Sequence, residues 1–574
     1  MPRTIAIGEQ DFSKMIEGNI FYVDKTSFLK EWWENKDSVT LITRPRRFGK
    51  TLTMSMVDYF FSIKHADKSS LFENLDIWEE EEYRSIQGTY PVIFLSFANV
   101  KACHYEEAYY DVCDMIAREY RRHRFLLKSD SFLPTDQDRF NKLLSGGGNL
   151  SDVCASINLL SEYLYEYYGK KVIILLDEYD TPMQEAYSNG YWDQLVAFMR
   201  KFMNETFKTN PYLERGLMTG ITRVSKESVF SDLNHPVVIT TATTMYETAF
   251  GFTENEVFQA LTEYHLQDKA EEAKRWYDGF RFGDCSHIYN PWSVINYLKY
   301  KRFAPYWANT SSNTLVGKLI QESNREIKMI VEELLKGKSF KAAIDEQVVF
   351  DQLENDSNAL WSFLLASGYL KIVRFHDAGS YLGEEFVAYE LELTNIEAVT
   401  VFRKMIHGWF GKYQMPYNDF IKAMLLHDLK NMNLYMNKVA LTTISFFDTG
   451  TKMSKESEPE RFYHGLMLGL MVDLNDKYEI TSNRESGFGR YDVLFQPHHD
   501  TDDGIILEFK VIDQEKEKSL KDTAQAAIKQ IVDKKYAEAF GAKYSSDRIR
   551  IYGFAFKGKE VWIDGGYLCE YENP

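Results

Sequence analysis

SVTLITRPRRFGKTLT, residues 38–53, opens as a short apolar strand and runs through a tight loop into a helix start carrying Phe48-Gly49-Lys50-Thr51. This is the second half of a phosphate-binding P-loop. Such a loop surrounds a polyphosphate with backbone N–H groups at a helix N-terminus, neutralises its outer oxygens with a lysine and holds Mg²⁺ with a hydroxyl. Gly49, Lys50 and Thr51 supply these in order. The generic pattern also asks for glycine five residues before Gly49. Here that place holds Arg44, followed by Pro45, which has no N–H to offer. Alone, the stretch fits an ordinary strand-to-helix turn equally well.

A second stretch decides between these. In KVIILLDEYD, residues 171–180, an apolar run leads straight into Asp177-Glu178. An unbroken apolar run fits a central parallel strand buried on both faces, and a carboxylate at its C-terminal end lies where open α/β sheets bind ligands. Asp177 is expected to hold Mg²⁺, directly or through water, and Glu178 to orient and deprotonate an attacking water. The bland alternative is that Asp-Glu simply begins a solvated loop.

Together with YVDKT (22–26), RPRRFGKT (44–51), LLDEYDTP (175–182), TGITRVSKESVFSDLN (219–234), WYDGFRFG (276–283) and IYNPWSV (288–294), these motifs resemble the bacterial AAA-ATPase-like family. Its members typically carry a C-terminal PD-(D/E)XK nuclease-superfamily domain, and the resemblance covers nearly the whole chain in the expected order. Arg44 and Pro45 resemble the family's own variant of the loop, which leaves hydrolysis open. The resemblance implies ATP and Mg²⁺ as ligands, with Phe48, Gly49, Lys50, Thr51 and Asp177 around the nucleotide and Thr51 and Asp177 on the metal. A strand at 214–221 ends in Thr219, Thr222 and Arg223, where a γ-phosphate sensor sits in this architecture. Thr219 and Arg223 are therefore candidates; a salt-bridged surface arginine is the plain alternative.

The expected fold is α/β: a P-loop NTPase parallel sheet of the additional-strand type with a helical lid and a winged-helix-like module, followed by a PD-(D/E)XK nuclease-like α/β domain. The additional strand is read at 91–98, PVIFLSFA, between the two Walker strands in sequence, which favours an ATPase over a small kinase. The expected domains are a helical leader (1–37), the ATPase core (38–241), a helical lid (242–330), winged-helix-like and connecting helices (331–455) and the nuclease-like domain (456–574). Residues 99–170 read as helix broken at Ser145-Gly146-Gly147-Gly148-Asn149. In the winged-helix-like module the two strands are expected to turn at Asp377-Ala378-Gly379-Ser380. Its presumptive recognition helix, around 358–366, is apolar and lacks Arg and Lys, which favours packing over DNA reading. The polar run 449–458 is the expected linker. No contact is assigned to Asp24-Lys25-Thr26.

Composition narrows the classes. At 574 residues, 44% hydrophobic and 15% aromatic, the chain is globular and expected to hold several domains. No segment approaches a membrane span, and MPRTIAIGEQDF lacks an apolar signal core, so a cytoplasmic protein without a membrane partner is expected. Five scattered cysteines form no metal or disulfide pattern. A net charge of −18 argues against nucleic acid binding by the whole surface. Residues 510–559 are locally rich in lysine, read either as a phosphate track or as an ordinary solvated face.

The sharper geometry is C-terminal. FYHGLMLGLMV (462–472) reads as a buried helix, and GRYD (489–492) and ILEFK (506–510) flank a polar turn at 498–503. As arms of one hairpin they set Asp492 almost opposite Glu508, and alternation puts Glu508 and Lys510 on one face. Two carboxylates at that spacing hold Mg²⁺, with Mn²⁺ as a substitute, and the ammonium stabilises or orients a nucleophile. The alternative is an edge strand with a cross-strand ion pair. The trio resembles the PD-(D/E)XK core, and by that resemblance Asp492 and Glu508 are metal ligands and Lys510 the third catalytic group. Glu460, one turn before His464, matches the acid of the superfamily's first helix. Gln530 matches the polar residue after the core strands, with Tyr536 beyond it.

The expectation is an ATP-binding switch that hydrolyses ATP and controls a Mg²⁺-dependent nuclease domain acting on nucleic acid, DNA ahead of RNA. A homo-oligomer is left open. Two rivals stand beside it: a signalling or scaffolding ATPase whose nuclease fold binds without cleaving, and a nuclease whose P-loop holds nucleotide only structurally.

Overall fold

The computed structural model describes residues 2–129, 132–208, 210–222, 236–307, 313–344, 353, 356–381, 384–409, 414–447, 458–483, 491–513 and 517–572. The chain divides into two compact units, Met1–Thr310 with Ser339–Val399, and Ser311–Lys338 with Thr400–Pro574.

In the first unit, β1 (Val39–Thr43), β2 (Val92–Ser96), β3 (Val172–Asp177), β4 (Leu213–Gly220) and β5 (Val237–Ile239) form a wholly parallel sheet in the order β2-β3-β4-β1-β5. Every residue of β1 and β3 is buried, as an apolar run covered on both faces requires. The strand that falls between β1 and β3 in sequence, β2, lies at the sheet edge; β4 is the one inserted between them in space. On one face the P-loop helix Lys50–Phe61 packs with the leader helices Phe12–Glu17 and Ser27–Asn35 through Phe12, Trp32, Phe60 and Phe61. Residues 99–170 form the helices Tyr105–Arg122, Pro134–Leu144 and Leu150–Tyr168. Asn149, at the end of the glycine run, caps the third of these reciprocally with Asp152.

The segment expected as a helical lid is mixed. Helices Glu254–Glu263, Ala270–Tyr277 and Pro291–Tyr300 surround a small antiparallel sheet of β6 (Phe252–Thr253), β7 (Phe280–Phe282) and β8 (Cys285–Tyr289). Within WYDGFRFG, Phe280 and Phe282 alternate on the buried side of β7.

A three-stranded sheet, β9 (Phe340–Ala343), β10 (Leu370–Tyr381) and β11 (Glu384–Leu393), follows in the order β10-β11-β9. The turn expected at residues 377–380 is not there: an irregularity between His376 and Gly379 absorbs residues 377 and 378 within β10, and pairing continues through Gly379↔Phe386 and Ser380↔Glu385 to Tyr381↔Glu384. Helix Ser357–Ala366 is buried on nearly every side, so its apolar character reflects packing. The linker expected at 449–458 falls almost wholly outside the described residues.

In the second unit, β12 (Tyr478–Asn483), β13 (Tyr491–Pro497), β14 (Gly504–Val511), β15 (Ile549–Lys557) and β16 (Glu560–Tyr567) form a mixed sheet in sequence order, with β14 and β15 parallel and the other pairs antiparallel. Helix Leu520–Asp533 makes the crossover between the parallel strands. Along the β16 edge, Asn433 and Asn437 of helix Leu429–Phe447 each donate to and accept from one residue's backbone, Ile563 and Val561 respectively, at 2.7–3.0 Å. Among the described residues no helix is long and apolar enough to cross a membrane.

Candidate nucleotide and nuclease sites

The ends of β1, β3 and β4 bring the first set of candidates together. Gly49, in the left-handed region at φ 85°, precedes the helix that Lys50 begins. Lys50 is buried, and its ammonium donates to the carbonyls of Arg44 and Pro45, each at 2.8 Å. Burial lowers its pKa to about 8 against the opposing pull of Glu178, Asp180 and Asp177. Asp177, buried at the end of β3, accepts from the Thr51 hydroxyl at 2.9 Å on one oxygen and from the Thr219 hydroxyl at 2.5 Å on the other. Burial raises its pKa, and the Thr219 hydrogen bond opposes that. Glu178 has a left-handed φ of 51°. Its N–H donates to Thr219 Oγ1 at 3.3 Å, and its carboxylate accepts from the Thr181 hydroxyl at 3.3 Å. Arg223 lies outside the described residues.

Arg44 and Phe48 point away from a phosphate role. Phe48 is buried against Phe280 and Phe282 of the small sheet, ring centroids 4.7 and 5.5 Å apart. The Arg44 guanidinium, fully buried, lies 4.2 Å from the centre of the Phe282 ring and donates to the carbonyls of Thr43 and Thr240 at 3.0 and 2.7 Å. Burial lowers its pKa to about 9. The residue that breaks the generic glycine pattern thus ties the loop to the ends of β1 and β5.

Several residues that the sequence reading passed over also act on the loop. Gln184 accepts from Arg46 at 3.0 Å and donates to Asp180 at 3.1 Å. Asp180, the third acid of DEYD, accepts from the N–H groups of Ile221 and Thr222 at 2.9 and 3.0 Å. A polar path therefore runs from the P-loop to the end of β4. Asn290 donates to the Arg46 carbonyl at 3.3 Å, and the Arg47 guanidinium lies 4.2 Å from the Trp292 ring centre. The leader motif also finds contacts. Lys25 donates to Glu256 at 2.7 Å and to the Thr248 carbonyl at 2.7 Å, while Asp24 accepts from the N–H of Asp76 at 2.7 Å. The motifs themselves were visible in the sequence; their partners lie tens to hundreds of residues away.

In the second unit, Asp492 pairs directly with Glu508, Glu508 with Gly553, and Gly553 with Asp564 across four strands. Glu508 is fully buried. One of its oxygens accepts from the Gln530 amide, and the other, also buried, has no hydrogen-bond partner among the described residues. Tyr536 stands 3.5 Å beyond on the same amide nitrogen. The Lys510 ammonium reaches the Ala526 carbonyl at 3.4 Å. Helix Leu520–Asp533 comes this close because residue 553 is glycine: a Cβ there would sit 2.3 Å from the Ala524 carbonyl oxygen. The backbone of Glu460 lies in helix Glu458–Asp473; its side chain and those of His464 and Asp492 fall outside the described residues. Among the described residues no group of three or more His, Cys, Asp or Glu forms a metal cage. The unpartnered oxygen of Glu508 nevertheless fits a hard cation, since a buried carboxylate oxygen otherwise demands a donor.

The comparisons with known proteins fall on these two regions. Residues 6–230 match the family described as "Predicted AAA-ATPase", and residues 458–565 match the "PD-(D/E)XK nuclease superfamily". The chain carries a predicted AAA-ATPase-like domain followed by a domain of the PD-(D/E)XK nuclease superfamily. It is also similar to an uncharacterized protein in the vnfD 5′ region of Azotobacter chroococcum mcd 1, 22% identical over 580 residues that cover 96% of this chain and 98% of that protein.

Proposed function

We propose that this protein is an ATP-dependent switch whose nucleotide state controls a metal-dependent nuclease acting on nucleic acid phosphodiesters, DNA ahead of RNA. The observation that carries the reading is the direct pairing of Asp492 with Glu508, with a buried Glu508 oxygen that has no partner among the described residues and Gln530 fixing the other. Glu508 and Asp492 would hold Mg²⁺ or Mn²⁺, which when bound supplies an acidified water and charge stabilisation at the phosphodiester. Lys510 orients the nucleophile or offsets developing charge, Gln530 keeps the Glu508 carboxylate in one rotamer, and Glu460 is assigned to the same site as a further acid. At the other site Lys50 neutralises phosphate oxygens, and Thr51 and Asp177 would hold the accompanying Mg²⁺. Glu178 positions and deprotonates the attacking water, and Thr219 and Arg223 read the γ-phosphate. The topology of the parallel sheet, with β4 inserted between β1 and β3, supports an additional-strand ATPase. In this reading residues 38–241 are its core, 242–330 its lid, 331–455 a winged-helix-like module with connecting helices, and the protein acts in the cytoplasm.

The test is cleavage of single- and double-stranded DNA and RNA by the full chain with Mg²⁺ or Mn²⁺, with and without ATP, beside Asp492→Ala and Glu508→Ala. Cleavage lost in both variants and changed by ATP supports the reading. ATP turnover without cleavage of any substrate would leave the C-terminal fold a binding module.

A further inference from the structure

Asp180 stands at the N-cap of helix Thr181–Asn189, where an aspartate ordinarily accepts from its own helix, yet its side chain makes no such bond. Its Oδ2 accepts instead from the N–H groups of Ile221 and Thr222, from the Thr222 hydroxyl at 3.1 Å and from the Gln184 amide at 3.1 Å. Beside it, the N–H and hydroxyl of Tyr179 donate to the carbonyls of Thr219 and Thr222 at 3.0 and 2.8 Å. Residues 179 and 180 are thus fastened to the end of β4, immediately beyond Thr219.

This anchor decides which way Gln184 faces. An ionised carboxylate only accepts, so the amide nitrogen of Gln184 turns to Asp180 and its carbonyl oxygen is left for a donor. Arg46 Nη2 supplies that donor at 3.0 Å. Asp180 and Gln184 are buried, whereas Arg46 is half-buried. A glutamine holds a guanidinium in place without opposing its charge; a carboxylate at 184 would do both. Burial first, and the Arg46 charge with it, lowers the Lys50 pKa to about 8, which sets the two cations within electrostatic reach of each other. The bond to Gln184 draws Arg46 toward the ends of β3 and β4, where Asp177, Glu178 and Thr219 lie. Arg44, two residues earlier, is tied the other way, to Thr240 beyond β5.

We propose that Arg46 contacts the terminal phosphate of a bound nucleoside triphosphate, with Gln184 and Asp180 as the positioning residues that hold it there. The proposal rests on the ATP reading and adds to it a preference for triphosphate over diphosphate. A guanidinium meets phosphate oxygens through parallel N–H groups, so its benefit depends on orientation as well as charge. Gln184 supplies the orientation, and Asp180 fixes Gln184 to the same strand end that carries Thr219. The group that meets the phosphate and the strand end proposed to read it are therefore held by one carboxylate.

The experiment uses the full chain with Mg²⁺ and fluorescent mant-ADP, displaced by ADP or by the non-hydrolysable triphosphate AMP-PNP. Wild type, Arg46→Met, Gln184→Met and the double variant are compared. Arg46→Met is expected to weaken AMP-PNP on the order of tenfold and ADP by less than about twofold. Gln184→Met shifts the same ratio in the same direction by less, and the double variant is no weaker than Arg46→Met alone, because both substitutions break one connection. Equal losses for the two nucleotides, or no loss in Arg46→Met, overturn Arg46 as a phosphate contact while leaving the ATP reading in place. An unchanged ratio in Gln184→Met, or losses that add in the double variant, overturn the positioning role. A wild type that binds neither nucleotide overturns the ATP reading together with the proposal. Should Gln184→Met fail to fold, Arg46→Met, at a half-buried position, still decides whether Arg46 meets the terminal phosphate, and Asp180→Asn takes its place in the positioning test.

Discussion

The Lys50 ammonium donates to the carbonyl of Arg44 across 2.8 Å, so the lysine proposed to meet phosphate is held by the loop it belongs to. Both residues are buried, and each carries a charge that burial disfavours.

For Lys50 this sets a pH dependence. Its pKa is lowered to about 8, whereas polyphosphate would favour the charged form. Below that pH the lysine is already charged and ATP binds without proton uptake. Above it, binding must take up a proton, so affinity falls by up to tenfold per pH unit. Calorimetric titration of ATP between neutral and alkaline pH, in buffers of different ionisation enthalpy, should show uptake approaching one proton. Lys50→Met should abolish it.

Arg44 stands where the generic loop has glycine, yet Arg44→Gly is expected to destabilise the protein. It removes donors to Thr43 and Thr240 and the stacking on Phe282, and leaves a cavity. The mechanisms together suggest a loss of about 2–4 kcal/mol. Thermal unfolding checks this. A variant as stable as wild type would mean that the guanidinium contributes no net stabilisation.

Neutralising Glu508 should separate stability from metal binding. Glu508→Gln removes a buried charge whose second oxygen lacks a donor among the described residues, so the metal-free variant is expected to melt at or above the wild-type temperature. Mg²⁺ or Mn²⁺ should raise the melting temperature of wild type and leave the variant unmoved, and cleavage should be lost. A variant that gains stability from metal as wild type does would remove Glu508 from the ligand set.

Gly553→Ala tests the packing behind that site. The added methyl would sit 2.3 Å from the Ala524 carbonyl oxygen, and backbone on both sides gives little room. A cost of about 1–3 kcal/mol is expected. Displacement of helix Leu520–Asp533 would also carry Gln530 away from Glu508, so metal affinity should fall along with the melting temperature. Gly553→Ala with unchanged metal affinity would uncouple the helix position from the site.

What the sequence made legible was what local pattern controls. The strand in 171–180 is an unbroken apolar run, that in 38–53 is apolar but for Thr40 and Thr43, and the pairing of Asp492 with Glu508 follows from a short turn and a period of two. Arg44 was legible as a departure and not as a function, because its partners, Thr240 and Phe282, are about two hundred residues away. The same is true of Lys25 and Glu256. The small sheet β6-β8-β7 was missed because its strands are two to five residues long, too short for alternation to stand out from turns.

Asn433 and Asn437 have a consequence for assembly. The outward backbone groups of Val561 and Ile563 are those a further strand would use, and each is already matched in both donor and acceptor by an asparagine side chain. The β16 border is thereby closed to strand addition at those residues. Two copies of this chain cannot fuse their mixed sheets there into one continuous sheet, and a peptide cannot dock there by lengthening it.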